Sequence, residues 1–140
     1  MTTGYETILI LVAAFLNFSC ALGSYRAGSR MLFAPEVART YCLKGDELLI
    51  VSTNLEKPYS DDWDLVTRAR AFDNCIYLVA VNRVGRDKEL GFFGHSKIID
   101  PVGKPIKELN EEIEGSISAE IDLELPKKKR AEYYIKFHMG

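Results

Sequence analysis

The chain has few of the residues that mark specialised classes of protein. Its 140 residues include only three cysteines, two histidines and one tryptophan. The cysteines, Cys20, Cys42 and Cys75, are widely spaced and leave one unpaired, so the pattern encodes neither a disulfide framework nor a zinc site. We therefore expect a reducing compartment, the cytoplasm, and no metal centre.

Neither positive nor negative charge dominates the sequence. The 18 basic and 20 acidic residues give a net charge of −2, which provides no overall attraction to nucleic acid. The sequence also lacks Gly-x-Gly-x-x-Gly and Gly-Lys-Ser/Thr, so we expect no nucleotide loop, no cofactor and no nucleic-acid partner. What is present, 47% hydrophobic and 27% charged residues, suits one packed domain and excludes extended disorder.

One long uncharged run lies near the start of the chain. Thr7 to Tyr25 comprises nineteen residues without a charge, close to the length of a transmembrane helix, and the basic Arg26 and Arg30 follow it. A membrane anchor is one interpretation. The other, which we favour, is a buried strand over Ile8 to Phe15, because fully buried strands also read as continuous apolar runs.

Hydrophobic periodicity after residue 34 predicts alternating helices and strands. The predicted helices cover 36–44, ending before Gly45, and 60–74, whose inward residues would be Trp63, Val66, Ala69 and Phe72. The predicted strands cover 47–53, 75–81, 92–99 and 116–122. Turns are expected at 85–91 and at 100–103, the second leading into a hairpin partner. This order indicates an α/β sheet with helices on one face.

Several side chains allow both a structural and a chemical interpretation. His95 is interpreted as a hydrogen-bonded core residue in preference to a proton-transfer partner of Ser96. Cys42 and Cys75 lie in apolar stretches and are expected to be buried and inert. We expect Trp63 in the core and the basic run at 127–130 on a solvated face. Arg68 and Arg70 are expected to pair with Asp61, Asp62 or Asp64 on the same helix.

A series of short motifs carries a family resemblance. In order, they are Pro35-Glu36-Val37-Ala38-Arg39, Leu43-Lys44-Gly45, Trp63, Arg68-Ala69-Arg70-Ala71, Asn74, Asn82-Arg83-Val84-Gly85, Phe93-Gly94-His95-Ser96 and Ile99-Asp100-Pro101-Val102-Gly103. Their order and spacing resemble the C-terminal half of a carbon–nitrogen hydrolase, of the nitrilase and aliphatic amidase superfamily.

The resemblance implies half of a four-layer α-β-β-α sandwich, with a mixed sheet and helices on one face. It divides the chain into a divergent apolar segment at 1–33, the hydrolase-like part at 34–125 and a basic, aromatic tail at 126–140. It also implies a homo-oligomer and a small-molecule amide or nitrile as substrate. A changed reading frame or start would equally produce an N-terminal segment that matches nothing in the family.

In this family a Glu, a Lys and a Cys hydrolyse non-peptide C–N bonds, and the Cys stands six residues before the proline of its motif. The residue six before Pro35 is Ser29, which is therefore the catalytic candidate, although a serine hydroxyl needs a positioned base. The only acid before Ser29 is Glu6, and no lysine precedes Lys44. The alternative nucleophile Cys20 would require an insertion of nine residues.

These departures lead to two hypotheses of different class. In the first, the chain is a truncated carbon–nitrogen hydrolase-like protein that is inactive alone; Asn54, at the end of a predicted strand, would be its substrate-binding residue or only a turn residue. In the second, it is a non-catalytic interaction module that dimerises or completes its sheet on a partner, tethered to a membrane if 7–25 is an anchor.

Overall fold

The computed structural model describes residues 30–137, which form four helices, six strands and one 3₁₀ turn. In chain order these are α1 (Arg30–Phe33), α2 (Pro35–Leu43), β1 (Leu48–Thr53), the 3₁₀ turn (Lys57–Tyr59), α3 (Ser60–Asn74), β2 (Tyr77–Asn82), β3 (Val84–Asp87), β4 (Leu90–Phe93), β5 (Lys97–Ile99), β6 (Pro105–Glu108) and α4 (Glu124–Phe137). The segment at 7–25, Cys20 and Ser29 lie outside the described residues.

A four-stranded mixed sheet in the order β1-β2-β5-β6 is the centre of the fold. β1 and β2 are parallel and in register from Leu48 opposite Tyr77 to Thr53 opposite Asn82, with α3 as the crossover between them. β5 and β6 continue the sheet as antiparallel neighbours. β3 and β4 form a separate two-stranded hairpin. The predicted α/β class and the mixed sheet are therefore confirmed.

The core lies between the sheet and α1, α2 and α3. Leu32, Ala38, Trp63 and Ala71 from the helices are all buried in it. They pack against Leu49, Val51, Leu55, Ile76, Leu78, Ala80, Phe93 and Ile99. Trp63, predicted to be a core residue, is 0% exposed and meets the Phe93 ring edge-to-face, with 6.2 Å between ring centroids.

The other face of the sheet has a much smaller buried cluster. The cluster contains the fully buried Val79 and Ile98, and Ile117 and Ala119 from the segment after β6 pack on them. Leu48, Ile50 and Val81 on this face are only partly buried. The helices therefore cover one face, as expected, and an extended segment covers part of the other.

The predicted inward face of α3 is wrong in part. Phe72 is 53% exposed, and the residues buried beside Trp63 are Thr67, Ala71 and Asn74. Two of these are polar and donate hydrogen bonds within the helix: the Thr67 hydroxyl to the Trp63 carbonyl at 2.7 Å, and the Asn74 amino group to the Arg70 carbonyl at 2.9 Å. The Asn74 side-chain oxygen is buried without a hydrogen-bond partner among the described residues. Hydrogen bonds inside the helix lower the cost of burying these donors, so the apolar pattern alone misplaced the buried face.

The strand prediction at 116–122 is also wrong, because these residues form no strand. The hairpin partner after the turn at 100–103 is β6, and the turn itself is confirmed by a Gly103 N–H to Asp100 carbonyl bond of 3.0 Å. The predicted strand at 92–99 is interrupted between β4 and β5, where Gly94 and His95 have φ of +70° and +57°. The predicted turn at 85–91 is most of the β3–β4 hairpin.

The basic run at 127–130 lies in α4, against the end of the sheet opposite to the carboxyl end of β1. Arg130 donates to the carbonyls of Asp46 and Asn74 and so closes the C-terminal end of α3. Lys127 pairs with Glu47 at 3.1 Å and Lys128 with Asp122 at 3.8 Å. Lys127 and Lys128 are exposed, as expected, whereas Lys129 is partly buried and Arg130 holds the helix in place.

The two arginines of α3 have different partners. Arg68 pairs with Asp64 at 3.6 Å, which confirms the expected contact within the helix. Arg70 instead pairs with Asp73 at 3.3 Å and donates to the Leu32 carbonyl at 2.8 Å, so it ties α1 to α3.

Candidate functional site

The carboxyl ends of β1 and β2 lie at one edge of the sheet, the position where parallel α/β sheets bind ligands. A cavity of about 380 Å³ opens there. It is lined by Phe33 of α1, by Asn54, Leu55 and Glu56 of the segment after β1, by Tyr59 of the 3₁₀ turn and by Asp62 of α3. α1, which forms one wall through Phe33, begins at Arg30, the residue that follows Ser29 in the sequence.

Asn54, the predicted binding residue, lies in this wall. It directly follows β1 and is exposed. None of the hydrogen bonds within 30–137 uses its side-chain amide, which leaves both the carbonyl and the amino group available to a ligand. Its location suits a binding role, and the role itself remains a prediction.

Asn82, at the end of β2, holds the segment that carries Asn54. Its Oδ1 accepts from the Leu55 N–H at 2.7 Å and from the Thr53 hydroxyl at 2.9 Å. Its Nδ2 donates to the carbonyls of Leu55 at 3.2 Å and Gly94 at 3.1 Å. All four contacts are buried, so one amide fixes the strand end, the cavity wall and the bend after β4. From the sequence, Asn82 is identified only as part of a motif. A polar residue at the end of a buried apolar strand is the signal that could have indicated its role.

Ser96 completes this network and is not paired with His95. The Asn82 N–H donates to the Ser96 hydroxyl oxygen at 3.0 Å, and that hydroxyl lies 3.3 Å from the Asn82 carbonyl. His95 instead contacts Glu108, with Nε2 3.0 Å from Oε2, and its backbone carbonyl accepts from Trp63 Nε1 at 2.9 Å. The proton-transfer pair of His95 and Ser96 is therefore ruled out, and His95 is hydrogen-bonded and partly buried.

Lys97 is the one fully buried cation among the described residues. Its ammonium group donates to Asp64 Oδ1 at 2.6 Å and lies 3.9 Å from Glu108 Oε2. The hydrogen bond from Lys97 lowers the pKa of Asp64 against the opposing effect of partial burial, and the positive charges of Lys97 and Arg68 lower this pKa further. Lys97 thus joins β5 to α3 and is not one of the residues lining the cavity.

The two described thiols are at the other end of the sheet. Cys42 and Cys75 are buried, and the Cys42 thiol donates to the Asn74 carbonyl at 3.1 Å. Burial raises the pKa of both thiols, which keeps them protonated and poorly nucleophilic. The expectation that they are buried is confirmed, and their position removes them from the cavity.

A second cavity, of about 260 Å³, adjoins the β3–β4 hairpin. Glu56 and Lys57 line it together with residues of the hairpin, among them Arg86 and Glu89. Lys57 forms an ion pair with Glu112, which connects the 3₁₀ turn to the segment after β6. The walls of this second cavity carry charges of both signs.

Neither a metal cluster nor a membrane-spanning helix is found within residues 30–137. No group of three or more His, Cys, Asp or Glu side chains in this range is arranged to hold a metal ion. No helix in the same range has both the length and the apolar character needed to cross a bilayer.

The sequence profile of the carbon-nitrogen hydrolase family matches residues 32–131. The chain is 64% identical over 103 residues to a probable nitrilase of Schizosaccharomyces pombe, which covers 74% of this chain. It is 39% identical over 90 residues to the 2-oxoglutaramate amidase of Bacillus subtilis, which covers 64% of this chain. The chain belongs to the carbon–nitrogen hydrolase family.

The fold gives the same result. The structure of Saccharomyces cerevisiae Nit3, a member of the nitrilase superfamily, matches 83% of this chain with a TM-score of 0.73 and 25% sequence identity. The match extends over 43% of the Nit3 chain, and this chain spans 38% and 34% of the lengths of the two relatives above. The shared region is thus part of the nitrilase fold, as the motifs implied.

Proposed function

We propose that the chain is a truncated carbon–nitrogen hydrolase-like protein that contributes one wall of an amide- or nitrile-binding site and is inactive by itself. The observation that carries the proposal is the set of residues around the cavity. That set contains an amide, two carboxylates, two aromatic rings and a leucine, but neither a thiol nor a lysine. The family reaction needs a thiolate to attack the carbon and an ammonium to stabilise the oxyanion.

The described thiols and the one buried lysine among the described residues are engaged elsewhere in the fold. Cys42 and Cys75 are buried at the opposite end of the sheet, and Lys97 is held by Asp64. A complete site would therefore take its nucleophile and its lysine from other residues or from another chain. Ser29, which precedes α1 in the sequence, stays the candidate within this chain, with Cys20 as the alternative.

Ammonia release from butyramide and butyronitrile by the purified 140-residue chain tests this proposal. We expect no release above the buffer control. Release that is lost in S29A or C20A, and retained in the matched buried variant C42A, would contradict it.

A second candidate function is an interaction module, which the exposed part of the sheet supports. Leu48, Ile50 and Val81 are only partly buried. Ile113, which comes shortly before the segment that packs on this face, is 51% exposed. We propose that a second copy or a partner sheet covers this face. Light scattering after size exclusion should show a dimer or larger species; a monodisperse monomer that binds no hydrophobic dye would contradict it.

We also propose that the protein is cytoplasmic. The free thiols of Cys42 and Cys75 support a reducing compartment. After cell lysis and high-speed centrifugation, the protein should remain in the supernatant. Recovery with the membranes, abolished by deleting residues 7–25, would instead establish the anchor.

A further inference from the structure

The cavity at the carboxyl end of β1 has an uneven distribution of charge. Among the described residues that line it, Glu56 and Asp62 carry carboxylates and none carries a positive charge. Neither carboxylate is in an ion pair with another described residue, whereas Lys57 and Arg86 line only the adjacent cavity. The wall therefore carries two carboxylates and no ion pair among the described residues, although Glu56 also borders the adjacent cavity that Lys57 and Arg86 line.

Aromatic rings accompany these carboxylates. Phe33 and Tyr59 line the same cavity and are 44% and 47% exposed, so their apolar surfaces are available to a ligand. An alkylammonium group gains from carboxylates through charge and from ring faces through cation–π contact, while its methylene groups pack on apolar surface. A carboxylate-bearing ligand would meet only repulsion here.

The wall is also held in place. Leu55, between Asn54 and Glu56, is fixed by both its N–H and its carbonyl to the Asn82 amide. Glu56 begins the 3₁₀ turn, where its carbonyl accepts from the Tyr59 N–H at 3.0 Å, and it forms a bridge with Phe92 of β4. Binding of a cation therefore requires little ordering of the backbone.

We propose that this cavity binds the positively charged end of an amino-substituted amide or nitrile, with Glu56 and Asp62 as the charge-selecting residues. The inference rests on the proposed function in taking amides and nitriles as the ligand class, and it adds the charge of the substituent. Asn54 is available to hydrogen-bond the polar group of the same ligand.

Three amides of similar size separate charge from shape: 4-aminobutanamide is cationic, pentanamide is its neutral isostere and succinamate is anionic. Each is titrated into the ¹⁵N-labelled 140-residue chain, and the amide shifts of Asn54 and Tyr59 are followed. We expect 4-aminobutanamide to bind about tenfold more tightly than pentanamide at low salt, as two partly exposed carboxylates would give, and succinamate to bind most weakly. The preference should diminish at high ionic strength.

The double variant E56Q/D62N should bind 4-aminobutanamide and pentanamide equally, with pentanamide affinity unchanged. The matched controls are E89Q, in the adjacent cavity, and D61N, in the same turn of α3 but outside the lining; both should keep the preference. Equal unfolding midpoints establish that all variants are folded. Equal binding of the three amides to the wild type, a preference that survives in E56Q/D62N, or no shift at Asn54 and Tyr59 with any amide would each overturn the proposal.

Ammonia measured in the same samples reports separately on the proposed function. Ammonia release from pentanamide would show that the chain is active alone and would leave the charge preference to be judged from the shifts. No release together with the expected shifts supports both proposals.

Discussion

The two faces of β1 differ although the same six residues supply both. Leu49, Val51 and Thr53 are buried toward the helices, whereas Leu48 and Ile50 are half-buried and Ser52 is exposed on the other side. On the first face the helices close a core around Trp63. On the second, Ile117 and Ala119 pack on Val79 and Ile98 of the two central strands, β2 and β5. The comparison teaches that half of a sandwich can complete its outer core while its inner face stays partly open.

Neighbouring leucines on β1 provide the sharpest test of this difference. We expect L49A to lose about 2–5 kcal/mol in the free energy of unfolding, because it removes a fully buried side chain, and L48A to lose about 1 kcal/mol. Urea unfolding followed by circular dichroism measures both. Equal losses would mean that both faces are covered to the same extent, as in a dimer that buries the second face.

The edge of the sheet that carries the cavity depends for its stability on the buried hydrogen bonds of Asn82. N82A should lose about 2–4 kcal/mol, since it leaves several buried donors and acceptors without a partner. The same substitution at the exposed Asn54 should change stability by less than about 0.5 kcal/mol. Thermal unfolding compares the two variants directly. A similar loss of stability in both would contradict the structural role of the Asn82 hydrogen bonds.

The ion pair of Lys97 and Asp64 joins the sheet to α3, and it should make the stability of the fold decrease in acid. Its hydrogen bond lowers the pKa of Asp64 in the folded state, so its stabilisation is complete above the unfolded pKa and is lost as pH falls through the folded pKa. Because Asp64 is nearly half exposed, D64N should cost only about 1 kcal/mol at pH 7. The difference from wild type should shrink below about pH 4.

Urea unfolding of wild type and D64N between neutral pH and pH 3 measures this dependence. D61N, on the same turn of α3 but without a cationic partner among the described residues, serves as the control and should follow the wild type at every pH. A D64N difference that stays constant down to pH 3 would contradict the role of this pair.

Phe72 should show the smallest effect. On the outer side of α3 its main aromatic contact is Tyr133, with 6.2 Å between ring centroids, so F72A should cost about 0.5–1 kcal/mol. The inward position predicted from the sequence would instead give about 3–5 kcal/mol. Chemical unfolding distinguishes the two, and a large loss would restore the sequence-based orientation of α3.

The parts of the fold that the sequence predicted are those in which apolar pattern and burial coincide. Leu48–Thr53 and Tyr77–Asn82 are continuous apolar runs, and both are strands. The sequence predicts the bounds of α3 correctly but its buried face wrongly, because the polar residues Thr67 and Asn74 are buried and donate hydrogen bonds inside the helix. The alternation of Ile117, Ala119 and Ile121 reflects packing on the sheet surface rather than pairing at its edge.

For the candidate site, the sequence located Asn54 but not the residues that position or accompany it. Asn82 acts through contacts with residues distant in the chain, which no local pattern encodes. Glu56 and Asp62 come together only because the 3₁₀ turn folds α3 back over the end of β1. Ser29 and Cys20 lie outside the described residues and remain predictions.

The Asn82 network also links the exchange of backbone protons at distant points of the chain. The amide protons of Leu55, Asn82 and Gly94 are held, respectively, by the Asn82 side chain, by Ser96 and by the Arg83 carbonyl. Opening any one of them requires the others to separate, so the three should exchange with deuterium at a common rate. We therefore expect the backbone at the rim of the cavity to open in one cooperative step rather than to fray residue by residue.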